Sequence, residues 1–288
     1  MYAARRIVRR ERIVFYQAAL AGVIAVTIAT ALIGGHVARC LDIVVAGYGV
    51  FLAFGRIGCF SVACCYGRPA RFGIAYGERH VKLGFWSRWS GRRLWPVQLL
   101  ESAASLAIVF VALLIGWDRP GEPALIYAVG YGVLRFAFEL IRGDTARPQF
   151  LGLSEAQWTS LVVLLCCAGL CSRLPVVIAA AVLVLVASVL IPLRRRREFW
   201  APKHLHSIDK RCAQLSLGIA RAETELGVAI SRHELPDGRT DWIFSSMHPR
   251  WSIRAARRIA FDLWRQSEVV EGRLPGVIHI ITPDILKR

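Results

Sequence analysis

From Ile13 to Gly35 the chain carries no Asp, Glu, Lys or Arg. Coiled as a helix, such a stretch spans a hydrocarbon core of ~30 Å. The pattern recurs along the chain. Leu41–Val62 holds only Asp42 and Arg56, Leu94–Trp117 only Glu101, and Pro123–Ile141 only Arg135 and Glu139. Ala156–Cys171 and Leu174–Leu193 hold no charge at all. These runs predict about six transmembrane helices. The fifth is short and forms a hairpin with the sixth, broken at Ser172-Arg173-Leu174-Pro175.

Composition agrees. Hydrophobic residues make up 55% of the 288, too many for a disordered chain or an ordinary soluble enzyme. The net charge of +17 is shared by both halves, so there is no single basic arm. Pro192 and the run Arg194–Arg197 are expected to end the membrane part. The predicted fold class is an all-α polytopic membrane protein, residues 1–198, followed by a small soluble α+β domain, residues 199–288. Within the tail, Glu225–Leu235 and Asp241–Met247 read as strands around the turn Pro236-Asp237-Gly238. Trp251–Ser267 reads as an amphipathic helix and Gly276–Thr282 as a closing strand, a β-β-α-β order. Arg254, Arg257, Arg258 and Arg265 lie on that helix. They read as its solvated face, which makes a nucleic-acid partner unlikely and leaves the tail's partner unknown.

Ionisable residues inside apolar runs carry the functional signal. Each costs at least ~2.5–3.5 kcal/mol at a bilayer centre on insertion scales, so each needs a partner or a role. Tyr131, Arg135, Glu139 and Arg142 are spaced four, four and three apart and stack on one helix face. That face reads either as an Arg–Glu pair joining two helices or as a guanidinium site for a lipid phosphate, which the planar fork of arginine suits. Gln98 and Glu101, three apart after Pro96, share the start of the third helix. Arg56 lies near a membrane end among glycines. The segment 67–95 holds seven Lys+Arg with Trp86, Trp89 and Trp95. It reads as an interfacial element on anionic headgroups or as a plain basic loop.

Gly55-Arg56-Ile57-Gly58-Cys59-Phe60 through Tyr66-Gly67-Arg68-Pro69 resembles the signature of the prolipoprotein diacylglyceryl transferase family. Further blocks follow in family order: Pro96, Gln98, Leu99 and Glu101; Tyr131, Gly132, Arg135, Phe136, Glu139 and Arg142; then Leu153, Ser154, Gln157 and Trp158. The resemblance covers roughly residues 14–171. It implies a multi-pass enzyme of the bacterial plasma (inner) membrane that moves a diacylglyceryl group from phosphatidylglycerol to the lipobox cysteine thiol of a preprolipoprotein. Glycerol-1-phosphate leaves. By the resemblance Arg56 and Arg135 hold the donor phosphate, Tyr131, Glu139 and Arg142 shape the site, and Gly67 permits a close turn. Gln98 and Glu101 belong to the substrate-binding set.

The departures are local. Gln17 stands where the family carries a histidine, and glutamine is no general base near neutral pH. Cys59, Val62 and Cys64 replace two asparagines and an acid. Cys59, Cys64 and Cys65 cluster at the mouth of the expected site and read as small, soft replacements in preference to a lipid-carrying nucleophile. There is no C-x-x-C pair, and neither metal nor cofactor is expected. The family's preceding helices have no counterpart here. Charge counting puts the 67–95 side in the cytoplasm, whereas the resemblance puts that loop on the outer face, where we expect it. The alternative function is an inactive lipid-binding membrane protein that presents its tail to a partner.

Overall fold

The computed structural model describes residues 21–144, 149–196, 198–264 and 266–283. Gln17 and Arg265, with the first part of the first apolar run, lie outside them. Six apolar helices are described: α1 (Ala21–Leu32), α2 (Val37–Ser61), α4 (Val97–Gly116), α5 (Glu122–Ile141), α6 (Glu155–Cys171) and α7 (Leu174–Arg196), with a short α3 (Glu78–Lys82) between α2 and α4. Four of them, α2, α4, α5 and α7, are long and apolar enough to cross a membrane. An apolar helix is thus described in each of the six runs, and four of the six meet the spanning length among the described residues. The break between α6 and α7 falls where the sequence places it, with Ser172 in the left-handed region at φ 47°. The spanning stretch of α7 ends at Leu193, where the sequence puts the end of the membrane part. Pro192 sits inside α7, which runs on to Arg196. Leu190 and Ile191 pack beside Leu183 and Ala187 against α5 and α6, and those contacts carry the helix past the proline.

The bundle is apolar outside and polar inside. Ile43, Phe51, Phe54, Phe110 and Leu114 are exposed. The buried positions of α2 are Asp42, Gly49, Ala53 and Arg56, and those of α4 include Gln98, Glu101, Ser102 and Ser105. Both sets recur at three, four or seven residues, so each helix turns its few polar side chains to one inner stripe. A helix in hydrocarbon satisfies its own backbone, which leaves these side chains to find partners across helices.

At one end of the bundle Asp42 accepts from the N–H groups of Gly121 and Ala124 at 2.9 and 3.0 Å, which caps the start of α5. Arg39 stacks on Trp117, and Arg173 pairs with Glu122. At the other end lie segment 62–96, the chain after α5, and the tail.

The tail is richer than β-β-α-β. Helix α8 (Pro202–Leu215) precedes a five-stranded antiparallel sheet in the order β5-β6-β7-β9-β8. Its strands are β5 (Ala222–Glu223), β6 (Ala229–Glu234), β7 (Thr240–Ser245), β8 (Glu268–Glu271) and β9 (Val277–Thr282), with α9 (Ile253–Leu263) between β7 and β8. The three long strands and α9 fall where the sequence puts them. Helix α8 escapes a hydrophobic count because its inner face includes His204 and Cys212 beside Leu205, Ile208 and Leu215. Ser252 caps α9, its side chain accepting from the N–H of Ala255.

The tail shares one apolar core with residues 63–94. Tyr66, Phe85, Trp86 and Trp89 join Ile208, Phe244, Ile259 and Trp264 in it. Trp86 Nε1 donates to Asp209 at 2.8 Å, Arg88 Nε to the same carboxylate at 2.6 Å, and Arg92 to the carbonyl of Asp262 at 2.6 Å. Trp86 and Trp89 face protein, and only Trp95 of the three tryptophans is exposed. Strand β1 (Pro69–Ala75) pairs with β2 (Arg93–Leu94) beneath the tail, and β3 (Gln149–Phe150) pairs with β4 (Leu153–Ser154) just before α6.

Candidate functional site

The polar stripes of α2, α4 and α5 converge at the end that carries the tail. Arg56 Nη2 donates to Glu101 Oε1 at 2.9 Å. Tyr131 Oη donates to the same oxygen at 2.7 Å, and Arg135 Nε lies 3.4 Å from it. Arg135 Nη2 is 2.7 Å from Glu139 Oε1, and Arg142 Nη1 is 3.6 Å from that oxygen. Arg142 also pairs with Asp144. Three guanidiniums therefore face three carboxylates, and the balance is what allows so many charges to be buried together.

The stacked face predicted for Tyr131, Arg135, Glu139 and Arg142 is present. The Arg135–Glu139 pair is made within α5, and Arg135 reaches across to Glu101 of α4 as well. Helix α5 ends at Ile141, so Arg142 joins the cluster from extended backbone. Below the cluster, Ser105 bonds the Tyr127 hydroxyl and the Gly49 carbonyl, both at 2.8 Å. Tyr127 stacks on Tyr131 with ring centres 5.5 Å apart. The Ser105 bonds fix Tyr127, which stacks on the tyrosine that donates to Glu101.

Arg135 is 3% exposed, and none of its three guanidinium nitrogens makes a hydrogen bond of good direction within the described residues. Buried donors left in that state cost about 1–3 kcal/mol each. Their charge is balanced by Glu101 and Glu139, while their N–H directions suit a further oxygen ligand. A cavity of about 170 Å³ opens beside them. It lies between α5 and α6, lined by Ala128, Tyr131, Gly132, Arg135, Thr159 and Ser160, and its wall is mostly apolar.

Gly67 sits over the cluster. It bridges to Arg142, and its N–H donates to the carbonyl of Trp95 at 3.2 Å. A Cβ at Gly67 would lie 2.4 Å from that carbonyl oxygen, so the turn needs glycine for close approach. Gln98 stands one step from the guanidiniums. Its amide donates to the Cys64 carbonyl at 2.7 Å and to the Tyr76 hydroxyl at 3.2 Å.

Of the site residues expected from sequence, Arg56, Glu101, Tyr131, Arg135, Glu139 and Arg142 come together. Gly67, Gln98 and Cys59 line the turn above them, and Gln17 lies outside the described residues. Asp144, Tyr76 and Tyr127 were not singled out in the sequence. Asp144 follows Arg142 by two, a spacing with no helical meaning, and the two tyrosines gain their roles only across helices. The sequence also gave no weight to metal chemistry. Yet the sulfurs of Cys59, Cys64 and Cys65 all lie within 4.8 Å of one another. The neighbouring thiols of Cys59 and Cys64 hold the Cys65 thiol low, and Arg142 and Arg56 act in the same direction.

Four apolar helices of spanning length and a buried arginine–carboxylate cluster at one end of the bundle place the chain among α-helical membrane proteins. A family model described as prolipoprotein diacylglyceryl transferase matches residues 7–173, and the chain belongs to that family. The phosphatidylglycerol–prolipoprotein diacylglyceryl transferase of Clostridium tetani is 32% identical over 157 residues, which are 53% of this chain and 60% of that protein. The protein named phosphatidylglycerol–prolipoprotein diacylglyceryl transferase 2 of Clostridium perfringens is 28% identical over 156 residues, 53% of this chain and 58% of that one. A relative of the same name from Aromatoleum aromaticum is 32% identical over 115 residues, 37% of this chain and 40% of its own length. The chain therefore spans less than two thirds of the length of these relatives. No solved structure matches it. The matched region ends at 173, so α7 and the tail lie beyond it.

Proposed function

We propose that this chain transfers the diacylglyceryl group of phosphatidylglycerol to the lipobox cysteine thiol of a preprolipoprotein, in the bacterial plasma membrane. The observation that carries the reading is the buried Arg135, held by Glu101 and Glu139 yet with hydrogen-bonding directions unused, beside an apolar cavity between two apolar helices. Such a place suits a lipid with one phosphate and apolar chains. Arg135 and Arg56 take the phosphate oxygens, and Glu101 keeps both guanidiniums aimed. As the glyceryl carbon–oxygen bond breaks, negative charge gathers on the departing phosphate. Preorganised donors in a dry site stabilise that charge most effectively. Tyr131 holds Glu101 in place, and Arg142 closes the phosphate end through Glu139.

The test is release of glycerol phosphate when the purified protein meets phosphatidylglycerol vesicles and a lipobox peptide. Arg135→Ala is expected to abolish it. No release under conditions where an authentic transferase works overturns the reading. A second reading, lipid binding without turnover, draws on Gln17 and on the tail that packs over segment 63–94. It predicts phosphatidylglycerol binding that Arg135→Ala weakens, with no product. Complementation of cells depleted of their own transferase separates the two.

A further inference from the structure

Cys59 lies on the last turn of α2, after which the chain doubles back. The N–H of Cys64 donates to the Cys59 carbonyl at 3.0 Å. Ala63 and Cys65 adopt φ of 51° and 57°, the left-handed region that non-glycine residues seldom occupy. Gln98, itself 1% exposed, clamps the Cys64 carbonyl at 2.7 Å. The result is three free, half-buried thiols within 4.8 Å of one another. The remaining cysteines make no such group among the described residues, although Cys166, Cys167 and Cys171 are equally close in sequence. On α6 those three spread around a helix, and the Cys171 thiol turns to the Cys167 carbonyl at 2.7 Å.

We propose that Cys59, Cys64 and Cys65 form a three-thiolate site for a zinc-class divalent ion, whose fourth position takes the acceptor thiol. Clustered thiolates select thiophilic ions, zinc and copper(I) among them. Three thiolates leave a divalent ion with one net negative charge and copper(I) with two. The Arg56 and Arg142 guanidiniums beside the cluster balance the smaller excess more readily. No histidine or carboxylate joins the three sulfurs among the described residues. Three protein ligands with one open position is the arrangement of reactive zinc sites, whereas purely structural sites close all four.

The role of the open position rests on the transferase reading. An acceptor thiol that coordinates there gives up its proton to water and remains as thiolate. Its sulfur then attacks the glyceryl carbon. The carbon–oxygen bond to phosphate breaks, its electron pair goes to the phosphate oxygen, and glycerol phosphate departs against Arg56 and Arg135. The thioether product is a weaker ligand and leaves. This gives the reaction a route to thiolate that does not need the histidine replaced by Gln17. The placement is consistent, because Arg56 stands one turn before Cys59 on α2 and so joins the phosphate site to the thiol site.

The experiment uses the full chain, purified in detergent, stripped with chelator and reloaded with zinc or cobalt(II). One equivalent of zinc and a cobalt–thiolate charge-transfer band are expected. Cys59→Ser, Cys64→Ser and Cys65→Ser should each lower metal affinity at least tenfold, while Cys166→Ser leaves it unchanged. Gel filtration and metal removal from the unmutated protein guard against misfolded variants. No bound metal, metal retained by the triple serine variant, or a disulfide between two of the three overturns the site. A lipobox peptide should shift the cobalt spectrum, and its cysteine-to-serine analogue should not. Metal binding with no peptide shift, or release of glycerol phosphate that survives metal removal, overturns the role of the open position. A peptide shift with no release sinks the transferase reading and leaves the metal site standing.

Discussion

Arg56 and Glu101, 45 positions apart in sequence, meet at 2.9 Å in the interior of the bundle. One comes from the end of α2 and the other from the start of α4, and the loop between them carries the thiols above and the docking surface for the tail. Glu101 accepts from Arg56 and Tyr131 and balances the charge of Arg135, so three helices are tied through one carboxylate.

Removing that carboxylate strands the buried Arg56 and leaves Arg135 with Glu139 alone. Breaking a buried ion pair by deleting one partner costs about 3–5 kcal/mol. Glu101→Ala is therefore expected to lower stability by that amount, seen as an earlier thermal unfolding midpoint in detergent. Glu101→Gln keeps an acceptor for Tyr131 and Arg56, and its midpoint should fall between the two. Equal midpoints for Glu101→Ala and the unmutated protein would contradict the shared-acceptor arrangement.

Gly67 and Gly58 lie in the same signature but differ in space. A Cβ at Gly67 meets the Trp95 carbonyl oxygen at 2.4 Å, whereas nothing lies within 4 Å of one at Gly58. Overpacking against backbone costs about 1–3 kcal/mol. Gly67→Ala should unfold earlier on heating, and because its turn bridges to Arg142 it should also weaken lipid phosphate binding. Gly58→Ala should change neither, measured by the same melt and by vesicle co-sedimentation.

The bundle was legible because its runs are long and their exceptions few. Six charges or amides in otherwise apolar helices, at helical spacing, named most of the buried cluster. Cys59, Cys64 and Cys65 were legible as a group at the mouth of the site, but not the approach of their sulfurs to within 4.8 Å, which depends on a left-handed turn that no spacing rule encodes. The tail was half legible. Its long strands alternate, but β5 has two residues and α8 hides its face behind His204 and Cys212. The docking of tail on loop had no sequence signal, because Trp86 and Arg88 look the same whether they face a membrane or Asp209.

That docking fixes a relation between sides. Asp209 accepts from both Trp86 and Arg88, so the tail and the 67–95 loop lie on one side of the membrane. A cysteine label at Arg79 and another at Ser216 should show the same accessibility in intact cells. By the family resemblance both are expected to be reached from outside. Opposite accessibility would exclude the docked arrangement in the cell. Asp209→Ala leaves two donors without their acceptor, and charged hydrogen bonds contribute about 1.5–3 kcal/mol. Faster proteolysis at the α7–α8 junction is the expected readout.

His204 gives the tail a pH dependence. It is 5% exposed, and its ring bonds the Phe199 carbonyl at 2.6 Å and Thr224 Oγ1 at 3.0 Å. The carbonyl can only accept, so Nδ1 carries the proton and Nε2 accepts from the threonine hydroxyl. That hydroxyl in turn accepts from the Val228 N–H at 3.3 Å. Burial holds the His204 pKa below its ordinary 6.5, with the Phe199 carbonyl opposing the shift. A depressed value in the folded chain means that the unfolded chain takes up the proton first. The stability it contributes is complete above pH 6.5 and is lost as pH falls through the folded value. Unfolding of the tail, followed by tryptophan fluorescence, should therefore become easier below pH 6.5 in the unmutated protein. His204→Gln keeps one donor and one acceptor without the titration. It should flatten that part of the profile, and an unchanged slope would rule His204 out as its source.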